Sequence, residues 1–130
     1  MGLVYTEFRL VNVFTKQSAS IRALVDTGAT DAFVTWEVAR QLGFDPEEAS
    51  VDYVTLADGR RVATPRLGPV SIHFDGRQCY SHLLVLPGSE CLMGAIPLEQ
   101  LRLIVDPLQQ KVIRNPDPPW QYVLPLRVID

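Results

Sequence analysis

The sequence predicts a mainly β domain with two short helices, on three observations. Runs of alternating apolar, β-favouring residues recur along the 130-residue chain and are separated by turn residues. An Asp58-Gly59 pair stands between two β-rich arms, the strongest short-range hairpin signal present. A helical period occurs only over residues 36–42 and 95–101. With 47% hydrophobic and 21% charged residues, the length suffices for one domain with its own core.

Taken in order, residues 3–14 form a strand with Val4, Phe8, Leu10, Val11 and Val13 apolar, and the polar turn Thr15-Lys16-Gln17-Ser18 leads to a strand over residues 20–25. These two strands pair antiparallel and deliver Asp26. Residues 32–35 are again β-favouring; the helix over residues 36–42 then starts at Thr35, whose hydroxyl can cap it, and stops at Gly43. Residues 44–49 read as a polar connection and residues 51–64 as the Asp58-Gly59 hairpin. Residues 67–74 and 78–86 make another hairpin around Asp75-Gly76-Arg77. Pro87-Gly88-Ser89-Glu90 turns the chain into Cys91-Leu92-Met93-Gly94. The second helix follows, with Pro97 in its first turn and Leu98 and Leu101 on one face. Residues 103–106 and 111–114 are strands joined by a turn. The domain is therefore expected over residues 1–114, with a Pro-rich C-terminal extension over residues 115–130. Prolines make residues 115–119 a stiff connector, while residues 122–124 and 126–129 could still pair as strands.

Composition narrows the function. A net charge of −3 and a pI near 5.3 provide no basic field for nucleic acid. No apolar run reaches membrane-spanning length and the N-terminus meets Glu7 too early for a signal peptide, so a cytoplasmic protein with no membrane partner is expected. Met1-Gly2 has no polybasic stretch behind it to reinforce a lipid anchor. Cys79 and Cys91 are too few for a disulfide framework and read as small buried hydrophobes. His73, Cys79, His82 and Cys91 are the candidates for a metal site, but only Cys79 and His82 are closely spaced, so no metal is expected. No phosphate loop, Gly-x-Ser-x-Gly or His-Glu-x-x-His element is present, and no cofactor is expected.

The chemistry is concentrated in Leu24-Val25-Asp26-Thr27-Gly28-Ala29-Thr30-Asp31. An apolar strand runs directly into a carboxylate, so the acid sits at the exit of a buried element. Thr27 adds a small hydroxyl, and Gly28 lets the backbone turn with its amide near the acid, which favours the ionised form. Leu24-Val25-Asp26-Thr27-Gly28-Ala29 resembles the catalytic signature of the aspartic proteases, and the chain length points to the single-lobed, retropepsin-like branch. The resemblance extends over about residues 3–106. In that family the interval of the Asp58-Gly59 hairpin holds a mobile flap, and two apolar residues with a glycine mark the strand beneath the active-site loop, as Leu92-Met93-Gly94 would here. Where the family usually has a polar or charged residue after that glycine, this chain has Ala95-Ile96.

The resemblance implies a retropepsin-like closed β-barrel, one lobe of the acid protease fold, and an aspartic endopeptidase. One signature in one lobe supplies one carboxylate, so the site would be completed in a homodimer by Asp26 of a second copy. Two carboxylates that close share one proton and act as general base and acid toward a bound water. The resemblance gives Thr27 and Gly28 supporting roles, and makes Gly28, Ala29 and Asp31 substrate-binding residues. Val54, Leu56 and Ala57 of the flap, with Leu92 and Ile96, would favour hydrophobic side chains of a peptide or protein substrate. Because the family joins its subunits through a sheet of interleaved chain ends, the resemblance places the extension over residues 115–130 at the dimer interface. The alternative is a retropepsin-fold dimeric module that binds peptides or proteins without cutting them; a further reading makes the chain a transient interaction domain built around that extension.

Overall fold

The inward turn of alternate residues builds the wall of the fold, described over residues 3–56 and 58–115 of a computed structural model. Ala57 and the expected extension over residues 116–130, like Met1 and Gly2, lie outside the described residues. Strand β1 (Tyr5–Asn12) buries Phe8, Leu10 and Asn12, and β2 (Ser18–Val25) buries Ala19, Ile21 and Ala23. They pair antiparallel with Phe8 opposite Ile21. Asn12 closes the turn between them: its Oδ1 accepts from the amides of Phe14 and Thr15, and its Nδ2 donates to the Leu42 carbonyl at 2.9 Å.

Strand β3 (Ala32–Val34) is buried throughout and leads into α1 (Trp36–Gln41). Thr35 is extended, and its Oγ1 accepts from the Val38 amide at 3.2 Å, the cap expected from sequence; Gly43 leaves the helix at φ +83°. Thr35→Ala is expected to lower stability by about 1 kcal/mol, read as an earlier urea midpoint at unchanged slope. The connection that follows contains a short 3₁₀ turn, Pro46–Glu48, because Asp45 accepts from the Glu47 amide and Pro46 presets the first backbone angle.

Strand β4 (Ser50–Thr55) pairs antiparallel with the first part of β5 (Arg61–Phe74), and the second part of β5 pairs with β6 (Arg77–Val85). The two strands expected within residues 61–74 are thus one continuous strand. The expected break between residues 64 and 67 is absent, and Gly68-Pro69 produces only a register shift between Leu67 and Val70, where Pro69 has no amide for the ladder and Gly68 adopts φ +146°. Strand β7 (Cys91–Met93), α2 (Ala95–Gln100), β8 (Leu103–Asp106) and β9 (Lys111–Arg114) complete the described chain.

Strand β1 also bonds to β5, with Leu10 opposite Ile72, so β1-β2-β7-β3-β6-β5 close into a six-stranded barrel that carries β4 on β5. Phe8, Leu10, Ile72, Leu83, Val85 and Met93 fill it, and Leu42, Leu98 and Leu101 from the helices join the same core. The mainly β closed barrel with two short helices agrees with expectation. The β8–β9 hairpin is held at the start of β6 by Arg77, whose guanidinium donates to the carbonyls of Arg102 at 2.7 Å and Asn115 at 2.8 Å. Cys79 and Cys91 are free thiols buried in the wall; burial pushes the Cys79 thiol up to about 11 and raises Cys91 as well. Among the described residues, no helix is long and apolar enough to cross a membrane.

Candidate active site

Three short strands locate Asp26. Strand β2 runs parallel to β7, with Val25 opposite Met93, and β7 runs antiparallel to β3, with Ala32 opposite Met93. Residues 26–31 therefore loop from one flank of β7 to the other. The loop is pinned by its backbone: the Asp26 amide donates to the Met93 carbonyl at 3.0 Å, and the Ala29 amide to the Asp26 carbonyl at 3.1 Å. Its side chain is tied as well, since the Gly28 amide donates to Asp26 Oδ1 at 2.9 Å. Asp26 is half-buried, while Thr27 and Gly28 are exposed beside it.

Gly94 explains how the loop can lie so low. A Cβ on this residue would stand 2.4 Å from the Asp31 carbonyl oxygen and 2.7 Å from that of Ala29, so only a glycine admits this close approach. Helix α2 starts immediately after it, and Gly94 has no side chain to cap the free amides of the first turn. The loop does so instead: Ala95 N–H donates to the Ala29 carbonyl at 2.8 Å, and Ile96 N–H to that of Thr30 at 2.9 Å. With Ala95-Ile96 after Gly94, both of these links are made by backbone amides.

The β4–β5 hairpin forms the facing wall. Its tip is closed by the Leu56 amide on the Arg60 carbonyl and by Asp58, which accepts from the Arg60 amide and pairs with its guanidinium at 2.7 Å. These Arg60 donors, the amide first, hold the Asp58 carboxyl below its usual range. At the other end, where β5 leaves β6, the buried Thr64 hydroxyl donates to the Val85 carbonyl and accepts from the Val85 amide. That hydroxyl takes over where the backbone ladder between the two strands stops.

Between loop and hairpin lies a groove of about 590 Å³. Of the residues expected to line a cleft, it brings together Asp26, Gly28, Ala29, Asp31, Val54, Leu56 and Leu92. Ile96 is exposed on the first turn of α2 and is not among the lining residues, Thr27 stands beside the groove, and Ala57 lies outside the described residues. Sequence reasoning missed Thr30, Phe33, Tyr53, Thr55 and Leu86, which also line it. The apolar β-favouring run after Asp31 was the available signal for Phe33, and the apolar continuation of β6 past Val85 was that for Leu86. His82 was missed too: its Nε2 lies 3.1 Å from Asp31 Oδ1, while Thr30 Oγ1 donates to Oδ2 at 2.8 Å. His73 is separate, hydrogen-bonded to Ser71 at 2.8 Å, and burial and Arg9 lower its pKa. No cluster of three or more metal-binding side chains occurs among the described residues.

Residues 11–95 match the family model described as Aspartyl protease. Among solved structures, the chain is similar to EIAV protease complexed with the inhibitor HBY-793, with a TM-score of 0.61 and 21% identity. That likeness covers 77% of this chain and 88% of the viral one, and the fold is retropepsin-like. No curated protein matches the sequence.

Proposed function

The chain belongs to the aspartyl protease family, and from that premise we propose that it is an aspartic endopeptidase, assembled as a homodimer with Asp26 of each copy in one dyad. The observation that carries this reading is the Asp26 carboxylate, oriented by the Gly28 amide at the edge of the groove. One chain supplies one such carboxylate, and a two-fold axis through the loop supplies the second from an identical surface. The paired acids hold one proton between them.

The ionised carboxylate takes a proton from water as the oxygen attacks the scissile carbonyl carbon, and the protonated carboxyl donates to the carbonyl oxygen. Proton transfer to the amide nitrogen and cleavage of the C–N bond then release two peptides. Thr27 braces the two loops across the axis, and Gly28, Ala29 and Asp31 receive the substrate backbone. The β4–β5 hairpin acts as a flap, adding a strand to the extended peptide and excluding water. Val54, Leu56 and Leu92, with Ala57 at the hairpin tip, favour apolar substrate side chains, and the apolar groove residues Phe33 and Leu86 support that preference; Ile96, outside the groove, takes no part in it. The two free buried thiols are compatible with a reducing compartment, and we assign the protein to the cytoplasm.

The test is digestion of a diverse peptide mixture over roughly pH 4 to 7, read by mass spectrometry with and without a statine-type inhibitor. Cleavage next to apolar residues, blocked by the inhibitor and falling in specific activity on dilution, is expected. Silence from folded, dimeric protein would overturn the enzyme reading and leave a peptide-binding module.

A further inference from the structure

We propose that His82 is a positioning residue for Asp31, fixing the direction of that carboxylate before any peptide arrives. The inference rests on the reading of Asp31 as a substrate-facing group. It begins with register: β3 runs parallel to β6 with Phe33 opposite Leu84, so two residues earlier Asp31 and His82 are brought to the same level. Outward alternation along β6 puts His82 on the face that also carries Tyr80. The result is the 3.1 Å contact between Nε2 and Oδ1.

The ring is held from behind. Arg66 Nη2, on the adjacent β5, lies 3.4 Å from His82 Nδ1. A guanidinium has donors only, so it favours a lone pair on Nδ1 and, in the neutral imidazole, the tautomer whose Nε2 proton faces Asp31. Gly68, in the β5 register shift, admits a close approach to His82, since a Cβ there would come within 3.1 Å of His82 Cα. Gly68 thus makes room for the strand, Arg66 favours the tautomer, and His82 orients the carboxylate.

Thr30 holds the other oxygen, so both oxygens of Asp31 are engaged within the chain. No side-chain donor comes from the start of α2, where Ala95 and Ile96 meet the loop through amides alone. The side chains of His82 and Asp31 are 33% and 23% exposed, which shields their hydrogen bond from water more than a surface pair would be. A carboxylate ordered in advance need not lose its rotamer freedom when substrate binds.

His82→Phe should therefore raise KM for a cleaved peptide by about 3- to 10-fold, the effect of ordering one side chain on binding, with kcat unchanged. His82→Gln, which restores an N–H donor, should bring KM back. A fall in kcat, or a Gln variant no better than Phe, would overturn the positioning role. A second measurement needs no activity: long-range nitrogen–proton NMR on the intact protein should show His82 as the Nε2–H tautomer, and Arg66→Met should release it to a mixture. An Nδ1–H tautomer in the wild type would overturn the proposal directly. Should no peptide be cut, the endopeptidase reading fails, and the tautomer alone decides the placement of His82.

Discussion

Asp26→Asn is expected to reduce peptide cleavage about 10⁴-fold, the upper end of what general acid–base catalysis contributes, while leaving the fold intact. The asymmetry follows from the two jobs of the side chain. As a structural acceptor, its Oδ1 receives the Gly28 amide, and an asparagine oxygen can do the same. As a catalyst in the proposed dyad it must hold or release a proton, which an amide cannot do. The variant also removes repulsion between two acids, so its dimer should be no weaker than the wild type. Peptide cleavage, circular dichroism and sedimentation on the same preparations separate these effects. A folded, dimeric Asp26→Asn protein that still cuts at the wild-type rate would remove Asp26 from the chemistry.

Gly94→Ala should damage stability and activity together. The added methyl would meet backbone on the far side, the carbonyls of Asp31 and Ala29 and the Asp31 amide, none of which can rotate away as a side chain could. To reach ordinary contact from 2.4 Å the loop must rise by about 1 Å. Overpacking of this kind costs about 2–3 kcal/mol, or about 10 °C in Tm for a domain of this size. The lifted loop also carries Asp26 out of alignment, and a misplacement of about 1 Å costs on the order of 100-fold in rate. Thermal melting and cleavage of the same peptide provide the check. Preserved melting with lost activity would mean that the loop yields without strain; the reverse would mean that the strain never reaches Asp26.

Local chemistry made much of this protein legible from its residues. Thr35 and Gly43 bracket a helix because a hydroxyl can satisfy an early amide and a glycine accepts φ +83°. Asp58-Gly59 marks a hairpin tip because Gly59, at φ +90°, can turn where other residues strain. The acid signature and Gly94 were visible for similar reasons. What escaped depends on contacts between distant strands. The continuity of β5 across Pro65-Arg66 is imposed by its neighbours β4 and β6, where the local pattern reads two strands. The pairing of Asp31 with His82, 51 positions away, exists only because β3 and β6 lie parallel, and no local pattern encodes that register. Thr64 reads as one more β-favouring residue until the end of the β5–β6 ladder leaves Val85 for its hydroxyl to satisfy.

The bonds from Ala95 and Ile96 to the Asp26 loop bear on motion as well as shape. Each amide at the start of α2 is shielded from solvent protons only while the loop stays seated. For either to exchange, the loop must lift, or the first turn of the helix must unwind with it. Deuterium uptake at these two positions therefore times the opening of the Asp26 loop, and a ligand that clamps the loop should slow both amides in step, even if it never touches the helix.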